Sequence, residues 1–154
     1  MLGTLGVLGA AAASGAATVG MPRPAAAQQF GQQETVQDAL KRLFGTRPMK
    51  DGSALVKLDI PLIAENGAVV PVNVEVQSPM TAQNYVKGIY VVADKNRIPV
   101  VTYVALSPDA GQAFMGENIR LGETTDVRAI VEQNDGTLLV VKREVKVTVG
   151  GCGG

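Results

Sequence analysis

Apolar side chains recur every three or four residues over 32–45, which predicts an amphipathic helix at about 33–44. Thr35 and Asp38 stand near its start in the arrangement of an N-terminal capping box, and Gly45 follows as a C-terminal cap. Acidic residues precede basic ones along the stretch, as the helix dipole favours. We therefore expect this helix to lay one apolar stripe on the rest of the domain.

From Ser53 onward apolar positions alternate with polar ones, which is the period of a half-buried β-strand. Three pairs of such stretches flank turn sequences: 56–62 and 72–76 around Glu65-Asn66-Gly67, 89–93 and 98–106 around Asp94-Lys95-Asn96-Arg97, and 126–131 and 137–149 around Asn134-Asp135-Gly136. Because Asn-Gly is a strong signal for a tight turn, the first pair is expected to form a β-hairpin. With a further stretch near 114–121, the pattern predicts about seven short strands.

These strands fit an immunoglobulin-like antiparallel β-sandwich, a mainly β fold with one N-terminal helix. The sequence contains no tryptophan and no pair of cysteines, so the likeness to immunoglobulin domains is architectural. Two stretches, 89–92 and 138–141, are apolar on both faces. A sandwich strand needs only one buried face. The second face is therefore expected either to lie under the helix or to bind a partner.

The first 27 residues have the composition of a targeting segment. Residues 1–21 carry no charge and are rich in glycine and alanine, and Ala25-Ala26-Ala27 precedes Gln28 in the pattern that signal peptidase cleaves. We predict a signal peptide over 1–27, a β-sandwich domain over 28–149 and no stable insertion into a membrane. The positively charged opening typical of signal peptides is missing, and an uncleaved anchor or an unstructured tail is the alternative.

Composition excludes several kinds of chemistry. The 154 residues include no histidine and one cysteine. Without imidazole there is no Ser-His-Asp or Cys-His couple, and one thiol cannot form an internal disulfide or a zinc–thiolate cluster. Fourteen basic residues balance fourteen acidic ones, so no nucleic-acid-binding surface is indicated. We expect no catalytic residue, no metal site and no cofactor, and therefore no enzyme.

The single cysteine stands in an unusual place. The last strand pattern ends at Val149, and the chain continues as Gly150-Gly151-Cys152-Gly153-Gly154. Glycine leaves the backbone nearly unrestrained, so 150–154 is predicted to be a flexible arm. Three residues beyond the strand extend the thiol by about 10 Å.

Nothing near this thiol in the sequence activates it. No histidine exists to deprotonate Cys152, no helix N-terminus precedes it, and the nearest cations in sequence are Arg143 and Lys146. Activation is therefore expected from an enzyme that receives the arm. This pattern is typical of a carrier with a covalent attachment point at Cys152.

The terminal segment 147–154, with its Gly-Gly-Cys-Gly-Gly ending, resembles the carboxyl end of SoxY, the sulfur-carrying subunit of the periplasmic Sox thiosulfate-oxidising system. Further resemblance lies in Ile63-Ala64-Glu65-Asn66-Gly67, in Val70-Pro71-Val72, in Ile119-Arg120-Leu121 and in Glu144-Val145-Lys146-Val147. The likeness covers most of the chain after the predicted signal peptide.

The resemblance implies a function. Cys152 would be covalently linked to thiosulfate and to later sulfur intermediates. A SoxZ-type subunit would form a heterodimer with the chain, and the arm would visit haem-containing SoxAX, sulfate-releasing SoxB and, where present, the sulfur dehydrogenase SoxCD. Location in the periplasm is implied too. Family members usually carry a twin-arginine signal, whereas 1–27 contains no Arg-Arg pair.

A second hypothesis belongs to a different class of protein. The chain could be an immunoglobulin-like structural or binding module that uses Cys152 for an intermolecular disulfide. A stable, obligatory disulfide dimer would favour this hypothesis, whereas a carrier would give a reducible mixture of dimer and small adducts.

Overall fold

The structure, a computed structural model, describes Gly3 and residues 30–152. Apart from Gly3, the predicted signal peptide at 1–27 lies outside the described residues, as do Gly153 and Gly154. Across 30–152, no helix is both long enough and apolar enough to cross a membrane.

Within residues 30–152, nine strands form two sheets around a shared core. In chain order the strands are β1 Met49–Asp51, β2 Val56–Asp59, β3 Ile63–Asn66, β4 Val70–Val76, β5 Val86–Ala93, β6 Val100–Ala105, β7 Ala113–Ile119, β8 Thr125–Gln133 and β9 Leu138–Val149. The large sheet has the order β1-β9-β8-β5-β6, with β3 also beside β9, and the small sheet has the order β2-β4-β7. The predicted two-sheet, mainly β architecture is confirmed. The strands that the sequence pattern missed are the short β1 and β3.

Alternation along the strands places the core between the sheets. In β4 every second residue is buried, and Val70, Val72 and Val74 are fully inaccessible. These side chains meet the inward-facing residues of β5 and β8 in one apolar cluster. Burying a valine contributes roughly 1.5–3 kcal/mol, so this alternation is a main source of the sandwich's stability.

A single α-helix in the described part, α1 (Val36–Phe44), covers the outer face of the large sheet. Phe44 packs with Val92 and Leu138, which belong to the two stretches that are apolar on both faces, and with Ile130 of β8. Its ring also meets the Tyr90 ring edge-on with 4.9 Å between centroids. Burial raises the pKa of the Tyr90 hydroxyl. The second apolar face therefore lies under the helix, which decides between the two expectations.

The start of α1 is fixed by a side-chain cap. Thr35 has an extended backbone, and its Oγ1 accepts a hydrogen bond from the Asp38 backbone N–H at 3.1 Å. The helix begins at Val36, later than the predicted residue 33, because the capping residue itself lies outside the helix. At the other end Gly45 has a φ of +62° and donates to the Lys41 carbonyl.

Replacing Thr35 by alanine is expected to lower the free energy of unfolding by about 1 kcal/mol, because the first turn loses its acceptor. Thr35→Ser keeps the hydroxyl and should remain close to the unsubstituted protein. Urea denaturation of the three chains measures the difference. Equal losses in both variants would show that the hydroxyl does not cap the helix.

The two later hairpins form as predicted, whereas the first does not. β5 pairs with β6 and β8 with β9, each antiparallel. β2 and β4 also pair, but Asn66-Gly67 is not the turn between them. After β2 the chain returns to the large sheet as β3, parallel to β9, and crosses back to the small sheet after Asn66. The predicted hairpin turn is therefore wrong, because the segment before Asn66-Gly67 forms β3, which pairs with β9 near the end of the chain.

Candidate functional site: the terminal thiol and its seat

Strand β9 leads into the site, and pairing with neighbouring strands fixes its register. It pairs antiparallel with β8 along one edge, while its other edge pairs first with β1 and then with β3. The last of these pairs joins Asn66 to Val149. The start of the terminal segment is thereby fixed against the loop that follows β3.

Backbone hydrogen bonds continue past the end of β9. Gly67 N–H donates to the Val149 carbonyl at 2.7 Å, and Gly151 N–H donates to the Leu121 carbonyl at 2.9 Å. Leu121 N–H in turn donates to the Gly67 carbonyl at 2.7 Å. We call the backbone of 67–68 and 121–122, which receives Gly150 and Gly151, the arm seat. Gly151 is buried in it, while Cys152 is exposed.

The seat leaves no room for side chains. A Cβ on Gly150 would lie 2.1 Å from the Gly122 carbonyl oxygen, and one on Gly151 would lie 2.6 Å from the Gly67 carbonyl oxygen. On the seat's side, a Cβ on Gly67 would lie 2.2 Å from the Leu121 carbonyl oxygen. These atoms belong to backbone, which cannot move aside as a flexible side chain can. Gly150 and Gly151 are therefore required by close packing in this conformation, whereas the mobility of 150–154 stays a prediction.

A buried asparagine holds the seat in place. Asn96 lies in the turn between β5 and β6 and is 6% exposed. Its Nδ2 donates to the Arg120 carbonyl at 2.7 Å, and its Oδ1 accepts from Gly122 N–H at 3.2 Å. The Asn96 side chain thus fixes the backbone of the two residues that flank Leu121. The sequence indicated a polar turn here but not this role.

A cation contacts the backbone of the thiol-bearing residue. Arg120 Nη1 donates to the Cys152 carbonyl oxygen at 3.3 Å, across 32 positions of sequence. The sequence had pointed to Arg143 and Lys146, because they are close along the chain. Arg120 lay within one of the segments that carry the SoxY resemblance, yet nothing in the sequence pattern assigned it to the thiol.

The chemistry available at the site is that of a thiol. Cys152 is free and exposed. Among residues 30–152, no group of three or more His, Cys, Asp or Glu side chains is arranged to hold a metal ion. A groove of about 550 Å³ adjoins the seat, with Asn96, Ile119 and Arg120 in its wall. The site offers one nucleophile, exposed at the surface and held by its backbone.

Known proteins similar to this chain identify its family. The family described as sulfur oxidation protein SoxY matches residues 40–152. Among solved structures, the sulfur carrier protein SoxY from Chlorobium limicola f thiosulfatophilum is 30% identical with a TM-score of 0.62, and the match covers 75% of this chain and 97% of that chain. No curated protein matches the sequence.

More distant structures share the fold alone. A superoxide reductase (neelaredoxin) from Ignicoccus hospitalis is 20% identical with a TM-score of 0.53, covering 60% of this chain and 80% of its own. A putative superoxide reductase from Thermotoga maritima is 15% identical with a TM-score of 0.53, covering 66% and 93%.

The fold and the site together define an immunoglobulin-like β-sandwich that ends in a single exposed cysteine between glycines. The family match spans most of the chain and ends at that cysteine. The chain belongs to the SoxY sulfur oxidation protein family.

Proposed function

We propose that this chain is a covalent carrier of sulfur intermediates in thiosulfate oxidation, with Cys152 as the attachment point. The observation that carries the proposal is one free, exposed thiol at the end of the SoxY match. The solved relative from Chlorobium limicola is itself a sulfur carrier protein. In this role the chain is a substrate of its partner enzymes and not an enzyme.

The loading step is an oxidative conjugation. The Cys152 thiol loses its proton, its sulfur forms an S–S bond to the outer sulfur of thiosulfate, and two electrons pass to an oxidising partner. In the family this partner is the haem-containing SoxAX. SoxB then releases sulfate by hydrolysis, and SoxCD, where present, oxidises the sulfur that remains on the cysteine.

Delivery to several enzymes requires the arm to move. We propose that Gly150 and Gly151 leave the arm seat and that the terminal segment extends, which places the thiol about 10 Å beyond β9. Because glycine has no side chain, the segment is thin enough for a narrow active-site channel. Its hold on the seat consists of a few hydrogen bonds, each with a net value of only about 1 kcal/mol, so release is energetically accessible.

We propose that a SoxZ-type subunit binds at β3, since the helix already covers the doubly apolar strands. Four exposed aliphatic side chains, each 60–62% accessible, lie at or near the two ends of this strand: Leu62, Ile63, Val69 and Val149. Such exposed apolar groups are common at protein interfaces. The complex would form after export to the periplasm, as the predicted signal peptide and the family imply.

Ile63→Asp is expected to weaken binding of the SoxZ-type subunit about tenfold, because the interface would then bury an unpaired charge. Phe114→Asp serves as the control, since Phe114 is an exposed apolar residue of the small sheet. Titration calorimetry measures both. Equal weakening by the two variants would contradict a binding surface at β3.

The carrier function is tested by the intact mass of the chain after incubation with thiosulfate and the SoxAX-type partner. We expect a gain of one S₂O₃ group per chain, which a thiol reductant removes. A chain that stays unmodified, or that converts completely into a stable disulfide dimer, would overturn the proposal. The second of these outcomes would favour the structural module.

A further inference from the structure

Arg120 contacts Cys152 and carries a positive charge that could bind an anionic group on this residue. It is exposed, and within the described residues its side chain makes one hydrogen bond, to the Cys152 carbonyl. Among residues 30–152, ion pairs form at five cations: Arg42, Arg47, Lys87, Arg128 and Lys142. Arg120 is one of the cations in this range that form none. The positive charge of Arg120 is therefore not neutralised by the described part of the chain.

The position of this charge relative to the arm is set by backbone contacts. Asn96 binds the Arg120 carbonyl and the Gly122 N–H, and the Leu121 carbonyl between them accepts from Gly151. Since Cys152 follows Gly151 directly, docking of the arm brings the thiol-bearing residue to a defined place beside the guanidinium. A guanidinium has five N–H donors, of which the Cys152 carbonyl occupies one.

We propose that Arg120 is the counter-ion of the anionic sulfur group carried on Cys152 when the arm lies in its seat. This inference rests on the proposed function for the identity of the natural cargo. Thiosulfate and sulfonate groups end in negatively charged oxygens, and a guanidinium binds such oxyanions with several donors in one plane. Arg120 is a positioning residue in this account, because it holds the cargo and not the reacting sulfur.

The proposal makes docking depend on the charge of the cargo. An anionic group adds an ion pair to the hydrogen bonds of the seat, so the loaded arm remains docked for a larger fraction of time. A neutral group of similar size adds none. The Gly151 amide reports this directly, because its N–H is bonded to the Leu121 carbonyl only while the arm is docked.

Hydrogen exchange of the Gly151 amide, followed by NMR, tests the proposal on chains loaded without any Sox enzyme. Cys152 is first converted to a mixed disulfide with an aromatic thiol. Sulfite then displaces the aromatic thiolate and leaves an S-sulfonate on Cys152. Alkylation with iodoacetamide gives the neutral comparison. We expect sulfonate loading to increase protection about two- to fivefold at low ionic strength.

Two matched variants distinguish the effect of the charge at Arg120 from the effect of the net charge of the chain. In Arg120→Gln the gain from sulfonate loading should disappear, whereas Arg143→Gln removes the same charge from the exposed middle of β9 and should keep the gain. The proposal is overturned if neutral loading protects equally, if no gain occurs, or if both variants lose it. Failure of thiosulfate conjugation in the intact-mass experiment would instead overturn the carrier function and leave this result unaffected.

Discussion

Cys152→Ser is expected to abolish thiosulfate-dependent turnover in a reconstituted Sox system, down to the rate measured without this chain. Cys152 supplies the one thiol in the 154 residues. A serine hydroxyl is not oxidised to a bond with sulfur under these conditions, so no intermediate can be attached. The loss should therefore be complete and not partial. Turnover is followed by reduction of the haem acceptor and by sulfate release.

The fold should not change in this variant. Cys152 is exposed, and exposed substitutions away from special contacts usually change the free energy of unfolding by less than about 0.5 kcal/mol. Cys152→Ser should also bind the SoxZ-type subunit as the unsubstituted chain does. Alkylation of the unsubstituted chain at Cys152 is a control that should reproduce the loss. Turnover that survives both treatments would place the attachment point elsewhere.

Gly151→Ala is expected to open the arm seat. The added Cβ would lie 2.6 Å from the Gly67 carbonyl oxygen and 2.7 Å from the Ala68 backbone nitrogen. Because both neighbours are backbone, the clash is relieved only by moving the arm away. The hydrogen bond from residue 151 to the Leu121 carbonyl is then lost, and exchange of that amide should accelerate about tenfold or more.

Gly153→Ala is the matched control, since it removes a glycine from the other side of the thiol. If glycine acted only through chain flexibility, the two variants would behave alike. Close packing in the arm seat instead predicts that exchange of the residue-151 amide accelerates strongly in Gly151→Ala and only slightly in Gly153→Ala. Equal exchange rates in the two variants would contradict a docked conformation held by close packing.

Local patterns predicted the parts of this fold that depend on local contacts. In β4 each second side chain is buried, so its alternation was sufficient to predict a strand. The N-terminal helix was equally predictable from sequence, because Thr35 and Gly45 cap it through hydrogen bonds that span three or four residues. Cys152 is free and exposed three residues after the last strand, whereas the predicted flexibility of the segment around it stays a prediction.

Contacts between distant segments were not predictable in this way. β3 pairs with β9 across more than eighty positions, as in Ile63 with Lys146, and a parallel pair of that kind leaves no period in the sequence. The arm seat forms where two separate loops meet, and a third loop supplies Asn96, so the roles of Asn96 and Arg120 depend on tertiary structure. Gly151 illustrates the limit best. Flexibility and close packing both select glycine, and the residue type alone does not distinguish them.

The central claim, that Cys152 carries the sulfur, is tested most directly by locating a label. The chain is incubated with the SoxAX-type partner and thiosulfate that contains radioactive sulfur, then digested with trypsin without reductant. Trypsin cleaves after Lys146, so the last peptide is 147–154 and contains Cys152. We predict that the label is found in this peptide alone and is released by a thiol reductant. Label in any other peptide, or none bound to the chain, would contradict the account.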